Sequence, residues 1–206
     1  MDLFTVLASE RQHLADELDR LTPAQWEQPS LCEGWSNHVV AAHLNLPWSV
    51  RPPAFVVGFL RARGSIDRAL DRFSRQMADR LDPQACVDLL RANATSRLTP
   101  PGIGVEAPLT DVVIHGADVL RPLGRSRTIA PEALRSALTF VTSRKAVWGF
   151  DARSTVGLTL EATDVDLRLG SGGSYVSGPA LALCGAVLGR GDYLSELSGE
   201  GVELLR

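Results

Sequence analysis

DVVIHGADVLRPLG, residues 111–124, reads as an amphipathic helix, and one stripe of it carries Asp111, His115 and Asp118. The spacing of i, i+4 and i+7 sets the three side chains nearly above one another. A helix stripe that faces a core should carry leucines there. Charge on such a stripe is costly to bury unless it is paired or bound to metal. Asp111 and His115, one turn apart, have the spacing with which the two histidines of an HExxH helix grip one cation. A divalent ion needs at least one further protein ligand, and this stretch does not contain it.

The best partner lies in NHVVAAHLNL, residues 37–46, a second helical segment with Ser36 placed as its N-cap. Val39, Ala42, His43 and Leu46 fall on one face, so His43 points the way the apolar residues point. His38 lies five residues earlier, roughly 140° around the helix, and should face outward. His13 is the weaker candidate, since Glu10 and Glu17 beside it suggest the edge of an apolar stripe and a solvated ion pair. Each of these residues also has an ordinary account. Asp111 can be a charge favoured by the helix dipole, just inside a helix that starts after Pro108-Leu109-Thr110. Asp118 can pair with Arg121 or Arg125, and His43 can be a hydrogen-bonded core histidine. On spacing alone the two accounts stand level.

Around these segments, residues 1–150 read as helical. LFTVLASERQHLADELDRL carries Leu3, Val6, Leu7, Leu14, Leu18 and Leu21 at helical spacing, with Arg and Glu on the other side. Further helices are expected over 52–81, from Pro83, and from Pro131 through EALRSALTFVTSRKAVWGF. The period changes after residue 150. VGLTLEA and VDLRLG alternate in period two, GSYVSG reads as a third strand and GVELL as a final one. GPALALCGAVLG, with Pro at its start and Gly at its end, reads as a short helix. The fold class expected is α+β: a mainly helical bundle over 1–150, then a small α/β lobe over 151–206.

A net charge of -3 over 206 residues leaves no electrostatic footprint for nucleic acid, and no basic run marks a membrane surface. No apolar run reaches transmembrane length. The 3 cysteines, Cys32, Cys86 and Cys184, are far apart and form no CxxC pair, which argues against a disulfide framework or a four-cysteine zinc site. A reducing cytoplasm is the simplest compartment. Cys32 has no base or basic partner near it in sequence and reads as a buried structural thiol.

LCEGWSNHVVAAHL and DVVIHGADVLRPLG together resemble the two signatures of the mycothiol-dependent maleylpyruvate isomerase family. The first matches a C-x-GW segment that runs on to AHL, and the second an acidic residue four before a histidine, then H-G-x-D and R-P-L-G. The run from GLTLEATDVDLRL to GVELL resembles that family's small C-terminal domain. The resemblance covers nearly the whole chain and implies a DinB-like four-helix bundle with a metal site. Mapped by motif, its ligands are His43, Asp111 and His115, the three that spacing selects. Aspartate at 111 departs from the more usual glutamate and is one methylene shorter. The implied cofactors are a divalent metal, zinc before nickel, cobalt or manganese, and mycothiol as thiol cosubstrate. The implied reaction is thiol-dependent isomerisation or transfer on a small electrophilic substrate. Asp118 would orient a ligand imidazole, and Arg121 would bind a carboxylate or pair with Asp118. A non-catalytic binding module or a metal-dependent hydrolase would use the same bundle. The partners expected are small molecules rather than nucleic acid or membrane, with the chain a monomer or homodimer.

Overall fold

The computed structural model describes residues 2–100, 102–143 and 153–206. They form two compact units that do not follow chain order: 1–98 with 115–128, and 99–114 with 129–206. The end of the helix expected through residue 150, and the boundary placed there, lie outside the described residues.

The first unit is a helical bundle. Its elements are α1 (Leu3–Leu18), α2 (Pro23–Trp26), α3 (Asn37–Leu44), α4 (Leu46–Ser49), α5 (Pro52–Arg61), α6 (Ile66–Ala78) and α7 (Pro83–Ala92). The C-terminal part of α8 (Glu106–Leu120) and a 3-10 turn (Arg121–Leu123) complete it. Ser36 caps α3 as expected, its side chain accepting a backbone N–H, and Thr22, Ser65 and Asp82 do the same for α2, α6 and α7. Helix α3 packs against α6 and α7, and α1 against α7. Their apolar stripes, with Val6, Leu7, Leu14, Leu18, Val40, Ala41, Leu44, Val87 and Leu90, fill the core.

Two charged residues of α1 correct the expected polar outer face, because Glu10 and Arg11 are both buried. Glu10 accepts from Arg127 in a buried ion pair. Arg11 donates to the carbonyls of Asn93, Ala94 and Ser96 at 3.4, 3.2 and 2.8 Å, just past the end of α7. These carbonyls belong to the chain that follows α7, and the buried guanidinium supplies them with donors.

In the second unit, α9 (Pro131–Val141) packs against α10 (Ala180–Val187). A three-stranded sheet of order β2-β1-β3 is built from β1 (Leu158–Ala162), β2 (Leu167–Gly170) and β3 (Ser174–Gly178). β1 pairs antiparallel with β2 and parallel with β3. GVELL is not a strand: Glu200–Leu205 forms a 3-10 helix. Ser198 makes an isolated bridge to β3, at Ser177, before Gly199 turns the chain with φ 109°. A Cβ at Gly199 would stand 2.2 Å from the Tyr175 carbonyl oxygen, so the turn needs glycine there. Among the described residues no helix is long and apolar enough to cross a membrane.

Candidate metal centre

Helix α8 begins at Glu106, earlier than the sequence suggests, because Pro108 falls in its first turn, where a missing N–H costs nothing. Asp111 therefore stands beyond the first turn, and the helix-dipole account of it loses force. His115 follows one turn later on the same helix. His43 comes from the last turn of α3. The rings of His43 and His115 meet edge to face, with centroids 4.9 Å apart. His43, Asp111 and His115 each offer one ligand atom, and these atoms lie within 4.8 Å of one another.

Hydrogen bonds assign the tautomers. Ser74 on α6 donates its hydroxyl proton to the Leu70 carbonyl at 2.7 Å, so its oxygen accepts from Nδ1–H of His43 at 3.1 Å. That leaves the acceptor lone pair of His43 on Nε2. The buried Asp118 carboxylate accepts from Nδ1–H of His115 at 3.0 Å, which places the second acceptor lone pair on Nε2 of that ring. Fixing a ligand imidazole through its other nitrogen is how outer groups orient metal-binding histidines. Burial, and then the neighbouring His115, push the pKa of His43 down to about 3, so His43 is neutral and needs to lose no proton to act as a ligand. Two imidazoles and a carboxylate suit zinc and similar borderline divalent ions, and the donor set fits such an ion.

The connector before α3 lies against these residues. The Leu31 N–H donates to the Asp118 carbonyl at 3.0 Å, and the Trp35 N–H closes a turn on the Cys32 carbonyl at 3.0 Å. Trp35 Nε1 donates to Asp71 at 2.7 Å, and Arg75 ties Asp71 to the Gly34 carbonyl. The Trp35 ring is thereby held 5.1 Å from the His43 ring and 6.4 Å from the His115 ring, between centroids. Trp35 packs the connector and also walls the two imidazoles.

Cys32 corrects its sequence reading. It is half-buried, with Sγ 3.1 Å from Asp118 Oδ2 and 3.4 Å from His115 Nδ1. Both partners lie more than eighty residues away in the chain, so inspection of its sequence neighbours could not reveal them. His38 is also corrected: it is half-buried, bonds through Nε2 to the Leu81 carbonyl at 2.8 Å and meets Trp26 edge-on. His13 is exposed. Arg121 is half-buried and opens the 3-10 turn after α8. Ser74 was not singled out in the sequence, although a signal existed: Leu70, Phe73, Ser74 and Met77 share one face of α6, where a lone hydroxyl among apolar residues needs a partner.

No protein-family model matches the sequence, and no curated protein matches it. Among solved structures, the mycothiol-dependent maleylpyruvate isomerase and a histidine-to-alanine mutant of it match with a TM-score of 0.61 at 19% identity. Each match covers 97% of this chain and 92% of the other. At that identity the likeness shows the fold alone, a helical bundle and a small α/β lobe.

Proposed function

We propose that this chain is a metal-dependent isomerase or transferase that uses a small thiol, mycothiol first, on a small electrophilic substrate. The observation that carries this reading is the convergence of His43, Asp111 and His115, with both imidazoles fixed in the tautomer that presents Nε2. The fold shared with a mycothiol-dependent isomerase supports it. A divalent cation held by these three residues supplies Lewis acidity and favours thiolate over thiol.

The chain's own residues supply the rest. Ser74 and Asp118 orient the two rings. Trp35 excludes water from one side of them. Asp111 contributes the negative charge that two neutral imidazoles lack, so that a dication would be partly neutralised. Arg121, three residues past Asp118, is the candidate partner for a carboxylate on the substrate or thiol.

The test is an assay of the zinc-loaded and metal-free chain with mycothiol against a panel of electrophiles that includes maleylpyruvate. Isomerisation is followed at constant thiol, and transfer by thiol consumption. Turnover that needs both metal and thiol, and that is lost in His115→Ala, is expected. Metal-dependent turnover indifferent to thiol would instead indicate a hydrolase, and no turnover by metal-loaded protein a binding module.

A further inference from the structure

The turn at Cys32 brings a sulfur, a nitrogen and an oxygen donor to one point behind His115. Cys32 Sγ, His115 Nδ1 and Asp118 Oδ2 are separated by 3.4, 3.0 and 3.1 Å. Around a tetrahedral zinc-class ion the same donors would stand about 3.3–3.6 Å apart, given its usual bond lengths. The triangle therefore needs to open by only a few tenths of an ångström on average. We propose that Cys32, Asp118 and Nδ1 of His115 form a second, thiolate-containing site for a zinc-class cation, back to back with the His43–Asp111–His115 group and sharing the His115 ring with it.

Charge balance favours the exchange. In the cation-free protein the thiol S–H and the imidazole Nδ1–H are both aimed at one oxygen of Asp118, which is 1% exposed. When a cation already sits on Nε2, a dication here replaces both protons, one from Sγ and one from Nδ1, without changing the net charge of a buried place, where uncompensated charge is costly. Otherwise the Nδ1 proton passes to Nε2, one proton is released, and the dication with the new thiolate neutralises the single negative charge of the Asp118 carboxylate. The sulfur donor selects borderline and soft ions over magnesium or calcium. The Ser30–Trp35 turn fixes the donor in advance, since the Cys32 N–H bonds to Ser30 Oγ at 3.1 Å and its carbonyl accepts from Trp35.

This site does not depend on the proposed function, because it needs neither a thiol cosubstrate nor an ion at His43. Cobalt(II) titration of the full chain tests it, since thiolate ligation gives a near-ultraviolet charge-transfer band that nitrogen and oxygen ligands do not. Background from the other thiols is small, because burial pushes Cys86 up to about 12 and Cys184 higher still. The band is expected in the wild type, lost in Cys32→Ser and retained in His43→Ala. In Asp118→Asn, which removes a ligand, the affinity read from the band should fall by more than the roughly 10- to 100-fold that loss of an outer partner costs. Absence of the band at saturating cobalt would overturn the proposal, as would a band unchanged in Cys32→Ser or lost in His43→Ala. If Cys32→Ser does not fold, alkylation of Cys32 in the wild type, mapped by peptide mass, decides: protection by cobalt is expected, and an unchanged rate overturns the site. Failure of the His43 centre would show separately, as total cobalt binding indifferent to His43→Ala with the band intact.

Discussion

Ser74 sets what His43 can do. Its hydroxyl is committed to the Leu70 carbonyl, so its oxygen can only accept, and His43 must carry its proton on Nδ1. Ser74→Ala removes that acceptor while leaving α6 and the core in place. Zinc affinity, measured by competition with a chromophoric chelator, should fall about 10- to 100-fold; an unchanged affinity would mean that the serine orients nothing. The histidine itself makes a second prediction. Its pKa lies near 3 in the fold against an ordinary 6.5, so between those values the unfolded chain binds the extra proton and the native chain does not. Stability of the metal-free protein should therefore decrease as pH falls through that window and be indifferent to this group above it. At pH 5 the loss should be on the order of 2 kcal/mol. Urea denaturation of wild type and His43→Gln at pH 7 and 5 checks this, and equal acid sensitivity of the two would contradict it.

The elements were legible in the sequence to unequal depth. Helices α3 and α8 announced themselves, and so did the stripe that joins Asp111, His115 and Asp118, because side chains at i and i+4 are neighbours by helix geometry alone. His43 was legible for the same reason, as a histidine on an apolar face. Cys32 was not, because a half-buried turn that folds back on α8 leaves no periodic trace. The start of α8 was misplaced because Pro108 resembles a loop residue although a first turn accepts it. GVELL alternates like a strand, but the turn at Gly199 carries it out of pairing range. The cap of α3 makes this scale testable. Ser36 accepts the Val39 N–H at 3.4 Å, and Ser36→Ala should cost about 1 kcal/mol in chemical denaturation. In the second unit, a Cβ at Gly185 of α10 would lie 2.2 Å from the buried ring of Tyr193. Gly185→Ala should destabilise the protein by about 1–3 kcal/mol, read as a shift in denaturation midpoint. A neutral result would mean that the ring yields without cost.

For the whole molecule, the fold class was readable from two periods of hydrophobicity, and the shared fold of the isomerase structures agrees with it. The buried charges of α1 were not readable, since Glu10 and Arg11 find their partners at residues 127 and 93–96, far along the chain. Glu10→Gln leaves Arg127 buried beside a neutral group and should cost about 3–5 kcal/mol, the usual consequence of breaking a buried pair from one side. The central claim concerns the centre at His43, Asp111 and His115. Its most direct measurement is X-ray absorption spectroscopy of the chain loaded with one equivalent of zinc, in Cys32→Ser, where no thiolate competes for the ion, and in Cys32→Ser with His43→Ala. Two imidazoles and at least one oxygen donor are predicted in the first, with one imidazole lost in the second. A Cys32→Ser spectrum without imidazole scattering, or one that His43→Ala leaves unchanged, would contradict it.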